Sequence, residues 1–246
     1  MNENIKIALI GYGNMGKEIK KIALSQNIEV TDIFDEYTLP AHKEDYKFDV
    51  AIDFSVPPAV IDNAKVIAES GKNLVIGTTG WYKNADIIRE IALKNNTGIV
   101  WGANFSVGMQ IFFKIAELGA KLINDTGDYD VFMHEIHHSR KKDSPSGTAV
   151  TLAEKLLTII DSKKEILTET ANFDILQEQL HVTSTRGGEV PGTHTVYFDS
   201  LADTIELTHR ARNRSGFASG AITAAKLIKN KKGFYSFEQL LDELWK

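Results

Sequence analysis

Between residues 134 and 149 the chain reads HEIHHSRKKDSPSGTA. His134, Glu135 and His138 satisfy the H-E-x-x-H spacing by which a helix turns two imidazoles and a carboxylate toward one zinc ion. That chemistry requires positions i and i+4 to share a helical face. The surroundings deny it. Gly127, Asp128 and Asp130 precede the motif, Pro145 and Gly147 follow it, and YDVFMHEIHH is rich in β-branched and aromatic residues, a composition that predicts a strand. In a strand, at about 3.3 Å per residue, His134 and His138 stand roughly 13 Å apart, too wide for one tetrahedral ion. No metal site is expected.

The residues that follow suggest different chemistry. His137, His138, Arg140, Lys141 and Lys142 gather positive potential at the strand's end, and SPSGTAVTLAEKLLTII then begins a helix near Ser146, with Gly147 and Thr148 offering backbone amides. Cations beside a helix N-terminus make an anion site. Imidazole and ammonium groups held close together lose proton affinity, which suits proton donation near neutral pH. Taken alone, the stretch is also what a solvated basic loop before a capped helix looks like.

A second candidate lies near the start. The β-rich run IKIALI leads into GYGNMG, then into Ile19, Ile22 and Ala23 on one helical face. Gly11, Gly13 and Gly16 match G-x-G-x-x-G between a strand and a helix, with Tyr12, Asn14 and Met15 completing the turn; such a turn lets a pyrophosphate approach backbone amides. Asp35, 19 residues beyond Gly16 at the end of the strand EVTDIF, is placed to accept hydrogen bonds from an adenosine ribose. Glu36 follows and no Arg or Lys occurs until Lys43, so a 2'-phosphate would meet negative charge. NADH is favoured, with NADPH possible.

The elements that must position these residues fall into two patterns. Strands at 5–10, 29–34, 50–54 and 73–77 alternate with helices, one at about 58–70, and predict a parallel α/β sheet. Beyond about residue 105 the spacing predicts a helix over 107–123, with Ile111, Phe112, Ile115, Leu118 and Leu122 at helical intervals, then strands near 129–137, 180–186, 193–199 and 203–210. That is an α+β region with a mixed, open sheet. The small, apolar segment 215–228 predicts a helix returning to the first sheet. Residues 1–106 and 215–246 therefore form an expected nucleotide domain, and 107–214 a second domain.

Composition narrows the classes. A net charge of -5 over 246 residues gives no overall reason to expect nucleic acid or an acidic membrane as partner, and the absence of cysteine removes disulfides and thiol nucleophiles. The opening MNENIKIALIGYG lacks the charged start, apolar core and cleavage site of a signal peptide. A cytoplasmic protein is expected.

EIHHSRKKDSPSGTA closely resembles the signature E-x-H-H-x-x-K-x-D-A-P-S-G-T-A of the 4-hydroxy-tetrahydrodipicolinate reductase (dihydrodipicolinate reductase) family of lysine and diaminopimelate synthesis, departing only at Ser144. The resemblance extends to GYGNMG, to DFSVPPAV with Asp53 and Ser55, to Gly77, Thr78 and Thr79 of IGTTGW, and to Gly102, Ala103, Asn104 and Phe105 of GANFSVG, all cofactor-side loops. RGGEVPGTHTVYF and ARNRSGFASGA resemble later substrate-domain and hinge segments. The chain departs at Trp101 and Gly102, where other residues are usual, and lacks an arginine- and glycine-rich segment often found before Arg186.

The resemblance implies a Rossmann-type nucleotide domain, NAD(P)H-dependent reduction of a small-molecule dicarboxylate, closure about a hinge, and a homotetramer built from second-domain sheets. It implies His137 as proton donor or acceptor, Lys141 as proton donor, and His138 with Ser146, Gly147 and Thr148 holding a substrate carboxylate. His134 and Glu135 read as scaffold, Glu135 positioning the neighbouring loop, and Asp143 as a turn or capping residue. His194 and Arg214 face either substrate or hinge, and Trp81, Tyr129 and Tyr197 read as core or interface. An aspartate-type dehydrogenase or a nucleotide-sensing regulator would share the glycine turn but would leave HHSRKKDSPSGTA unexplained.

Overall fold

A computed structural model describes residues 5–246; the first four residues, which head the stretch read against a signal peptide, lie outside the described residues. The chain divides into two compact units, one running to Val107 and resuming over Arg214–Lys246, the other Gly108–Asn213. Along the first run β1 (Lys6–Ile10), α1 (Asn14–Ser25), β2 (Glu29–Phe34), β3 (Val50–Asp53), α2 (Val60–Glu69), β4 (Asn73–Ile76), α3 (Ala85–Lys94) and β5 (Gly98–Trp101). Then come α4 (Val107–Thr126), β6 (Asp130–His137), α5 (Gly147–Leu157), β7 (Glu165–Leu167), β8 (Gln179–Arg186), β9 (Thr193–Asp199) and β10 (Thr204–Arg210). The tail adds α6 (Ser215–Ile228), β11 (Gly233–Ser236) and α7 (Phe237–Leu244).

The first unit is a wholly parallel sheet ordered β11-β5-β4-β3-β1-β2. Its inner strands β1, β3, β4 and β5 read as near-continuous apolar runs because both faces are covered. Alternation sends Ile7, Leu9, Ile52 and Val75 into one core with α1, α6 and α7, while Ala8, Ile10, Ala51 and Leu74 enter another with α2 and α3. The expected return of the tail is seen in α6, which packs on β3, β4 and β5. Asn73 fastens it: its Nδ2 donates to the carbonyls of Ile228 (2.7 Å) and Lys229 (2.8 Å) at the end of α6, while its Oδ1 accepts the Gly98 amide (2.7 Å). The spacing of the sequence predicts no element at α3, β5, β11 or α7.

The second unit carries a mixed sheet ordered β10-β9-β6-β8-β7, five strands where four were expected. The three-residue β7 is too short to show a period. Strand β6 runs parallel to β8 and antiparallel to β9, and α4 and α5 bury one sheet face.

The predicted inner face of α4 needs correction. Ile111, Ile115, Leu118 and Leu122 are 43%, 50%, 61% and 61% exposed, and the buried stripe is Met109, Phe112, Phe113, Ala116, Ala120 and Ile123. Both stripes have helical spacing; small residues decide between them. A Cβ on Gly119 would lie 3.0 Å from the Phe198 ring, so the helix approaches the sheet on its small side. No helix among the described residues is long and apolar enough to cross a membrane.

Candidate active site

The nucleotide end of the first unit follows from the glycine turn. Gly11 takes φ +87°, a conformation side chains resist, and a Cβ there would lie 2.4 Å from the Phe54 carbonyl oxygen. A Cβ on Gly16 would stand 2.3 Å from the Gly11 carbonyl oxygen, so α1 packs back onto its own turn. Gly13 is the reverse case: nothing lies within 4 Å of its Cβ position. No side chain caps α1 and no acid occupies its first turn. Bare amides with an open approach make a phosphate seat.

A cavity of about 350 Å³ opens there, lined by Gly13, Asn14, Met15, Phe54, Ser55, Pro57, Gly77, Thr78 and Thr79. Another of about 240 Å³ shares Met15, Phe54 and Gly77 and adds Ala103, Phe105, Arg214 and Phe217. Both lie beyond the carboxyl ends of β1, β3 and β4, where the strand order reverses, the general location for ligands on such sheets. The residues present therefore fit a dinucleotide.

Asp53, fully buried at the end of β3, holds this wall together. Its Oδ1 accepts from the Ser55 amide (2.8 Å), Ser55 Oγ (2.7 Å) and Thr78 Oγ1 (2.9 Å), and its Oδ2 from Asn63 Nδ2 (2.9 Å). One carboxylate thus ties the loops after β3 and β4. Asp35 Oδ1 accepts the amides of Tyr37 and Thr38, each at 2.9 Å.

Six expected cofactor residues line neither cavity: Gly11 and Gly16 inside the glycine turn, Asp35 at the end of β2, and Tyr12, Gly102 and Asn104. Tyr12 lies under Lys20, whose Nζ is 5.5 Å from the ring centroid. Gly102 is pressed against Phe105, whose ring carbon would be 3.2 Å from a Cβ. Asn104 Oδ1 accepts the Ser106 amide at 2.9 Å. These residues shape the loops rather than form the walls.

In the second unit, strand alternation sends Glu135 and His137 to the helix-covered face of β6. Register sets Glu135 between Ser184 of β8 and His194 of β9, and His137 beside Arg186. Glu135 is 1% exposed. Its Oε1 accepts from the Ser146 amide (2.8 Å), Ser184 Oγ (2.9 Å) and Arg186 Nη2 (2.7 Å). Its Oε2 accepts from Ser146 Oγ, with His137 Nδ1 at 3.2 Å and His194 Nε2 at 3.5 Å. Burial would raise the carboxyl's proton affinity, but bonds from His194, Ser146 and Arg186 outweigh it and hold Glu135 well below the usual carboxylate range.

His137 is 8% exposed. Burial pushes it down to about 4; Glu135 opposes this, while His194, Lys141 and Arg186 add to it. The imidazole is therefore neutral near pH 7. Its Nε2 lies beside Gly192, where a Cβ would stand only 3.0 Å away.

The loop after β6 is fixed by backbone bonds from His138 to Val190 (2.8 Å) and from Lys141 to His138 (3.1 Å). Lys141 Nζ reaches Asp143 at 2.9 Å. Burial would raise Asp143, but the Lys141 bond and the amides of Asp143 itself and Gly147 lower it. Arg140 is committed to Glu189 by a pair of 2.6 Å bonds. Ser146 caps α5, its Oγ accepting the Ala149 amide at 3.2 Å, so Gly147 and Thr148 lie in the helix's first turn. His137, His138, Lys141 and the start of α5 thus occupy one loop at one strand end.

Glu135, His137 and His194 place possible metal-ligand atoms within 4.8 Å of one another, a different set from the one the motif names. Both Glu135 oxygens already accept hydrogen bonds, one from a guanidinium that a cation would have to displace. The histidines of the motif are placed otherwise: His134 Nδ1 lies 2.7 Å from Thr183 Oγ1.

Sequence reasoning left Arg186 and Gly192 without roles and did not name Asn63. The alternation of Glu135 with His137 was the available signal for the cluster around that strand end, but the β8 and β9 partners depend on register.

The chain was compared with known proteins. The family model described as "Dihydrodipicolinate reductase, N-terminus" matches residues 5–105, and "Dihydrodipicolinate reductase, C-terminus" matches 108–241. The 4-hydroxy-tetrahydrodipicolinate reductase of Christiangramia forsetii is 38% identical over 242 residues, covering 98% of this chain and 100% of that one. The protein of the same name from Archaeoglobus fulgidus is 35% identical, covering 97% and 100%. A dipicolinate-bound dihydrodipicolinate reductase from Paenisporosarcina sp. TG-14 shares the fold at a TM-score of 0.78 and 23% identity, covering 96% of this chain and 99% of its own. An amine dehydrogenase from Mycobacterium smegmatis follows at 0.62 and 8% identity, with 96% of both chains covered, so the fold alone does not select the reaction. Matched in both halves by models of one family and along nearly its whole length by curated relatives, the chain belongs to the dihydrodipicolinate reductase family.

Proposed function

We propose that this chain reduces 4-hydroxy-tetrahydrodipicolinate to tetrahydrodipicolinate in lysine and diaminopimelate synthesis, using NADH in preference to NADPH. The observation that carries the reading is the loop at the end of β6: a buried neutral imidazole, an ammonium and the first turn of a helix are gathered where a dicarboxylate needs cations and amides. His138 with Ser146, Gly147 and Thr148 would seat a carboxylate. Lys141 would give a proton to the reduced ring, and His137 would accept or return one.

The first unit would hold the nucleotide at Gly13, Asn14, Met15, Thr78 and Thr79, and the second would serve the substrate and oligomerisation. Bound NADH would supply the hydride. Asp35, with Glu36 beside it, supports NADH, because a 2'-phosphate would face two carboxylates. A homotetramer through the second unit's sheet is supported by the face opposite α4 and α5, where Phe132 and Tyr197 stack at 4.7 Å. The cytoplasm is the proposed compartment.

The test is a coupled assay. Pyruvate and aspartate semialdehyde are condensed by the synthase that makes the heterocycle, and NADH absorbance is followed. Oxidation dependent on the heterocycle is expected; none with either nicotinamide cofactor, from folded protein, would overturn the assignment.

A further inference from the structure

We propose that Glu135 is the positioning residue of this site, setting the tautomer of His137 and the aim of the α5 N-terminus through one buried carboxylate. The inference rests on the reductase reading for what the site does, but not for how Glu135 acts.

The geometry separates its two oxygens by task. Oε1 is filled by the Ser146 amide, Ser184 Oγ and Arg186 Nη2, at 2.7 to 2.9 Å. Oε2 takes the Ser146 hydroxyl and lies 3.2 Å from His137 Nδ1, a buried nitrogen that makes no hydrogen bond among the described residues and whose near acceptor is this carboxylate. A carboxylate that only accepts favours the proton on Nδ1. Nε2, beside Gly192, is then the nitrogen that accepts a proton. The same carboxylate holds Ser146, whose Oγ in turn receives the Ala149 amide. Proton transfer and anion binding are therefore registered to a single point. Glu135, 1% exposed, acts through His137 and Ser146.

Glu135→Gln separates this role from background charge. Oε1 faces a backbone amide and a guanidinium, which can only donate, so the new amide NH₂ turns to the Oε2 side, where it donates to His137 Nδ1 and moves the ring proton to Nε2. The analogous Asp→Asn change in serine proteases lowers kcat about 10⁴-fold through the wrong tautomer; here a loss of about 100-fold or more is expected, with the Kd for NADH within about twofold. Nitrogen-15 NMR of the His137 ring reads the tautomer without substrate. Simple electrostatics predicts the opposite sign for ligand binding, since removing a negative charge should tighten a dianion. The positioning role predicts that dipicolinate binds about tenfold more weakly, as expected for a misplaced hydrogen-bonding group.

A His137 proton that stays on Nδ1, or dipicolinate that binds as tightly as to the parent, would overturn the proposal. If Glu135→Gln fails to fold, Glu135→Asp decides: it keeps the charge but draws the oxygens back from His137 and Ser146, and unchanged kcat with unchanged dipicolinate affinity in that variant sinks the coupling. If the parent protein neither oxidises NADH with the heterocycle nor binds dipicolinate, the reductase reading fails, while the tautomer measurement still decides the role of Glu135.

Discussion

At Lys141 the ammonium sits 2.9 Å from Asp143, so a substrate carboxylate arriving here competes with one already present. Exposed pairs of this kind contribute at most about 1 kcal/mol, and the exchange is cheap. Asp143→Asn should tighten dipicolinate several-fold in a calorimetric titration; weaker binding would mean that Asp143 orders the loop instead. Lys141→Ala should lower kcat by about 10² to 10⁴, the usual range for a lost general acid, with little change in the NADH dissociation constant. Equal losses in both would place Lys141 outside proton transfer.

His137 carries a consequence for acid stability. It binds its proton at about 4 when folded, against an ordinary 6.5, so between those pH values the unfolded chain holds the extra proton and stability falls as pH drops. The loss is on the order of 3 kcal/mol. Glu135, Lys141, Arg186 and His194 face the ring. His209, lowered by burial and by His194, adds a loss of the same sign as pH falls below 6.5, and Glu135, lowered despite its burial, adds its own only as pH falls below its ordinary 4.5. Urea unfolding of His137→Gln should show a flatter slope between pH 6.5 and 4 than the parent; identical slopes would remove His137 as the cause. His137 and Lys141 were legible in the sequence because they lie four residues apart in one long motif. Arg186, Gly192 and His194 reach the same point only through strand register, which no local pattern encodes.

Among elements, the strand–glycine–helix beginning was legible because its constraints are local. Gly11 and Gly16 have atoms within 2.4 Å of where a Cβ would go, and Gly16→Ala should weaken NADH at least tenfold by fluorescence titration. The four-residue β5 and β11 are too short to show a period. Helix α4 misled for a different reason. Its exposed Ile111, Ile115, Leu118 and Leu122 make as regular an apolar stripe as the buried side, which interleaves Ala116 and Ala120 with larger residues, whereas packing of Gly119 against Phe198 selects the side that lets backbone come close. Asn73 was invisible as a fastener because its partners lie more than 150 residues away. Asn73→Ala leaves the Gly98 amide and the α6 terminal carbonyls without this partner and should cost about 2 to 4 kcal/mol in chemical denaturation, at up to 3 kcal/mol per buried group; a loss below 0.5 kcal/mol would make it dispensable.

For the molecule as a whole, the fold class and the alternation of two units were readable because the periodicity changes near residue 105. The assembly was not, since an uncovered sheet face shows only that something must cover it. Light scattering coupled to size exclusion should give four times the 27.3 kDa chain mass, and a monomer at micromolar concentration would contradict the proposed tetramer. The division of the chain also sets an order of events during synthesis. Gly108–Asn213 is continuous and can complete its core as soon as it leaves the ribosome. The first unit cannot: its sheet lacks an edge until β11 pairs with β5, and the face that α1 covers only in part stays incomplete until α6 and α7 arrive. The half that begins first is finished last, and its nascent strands, exposed for the whole translation of the second unit, are where a chaperone would be needed.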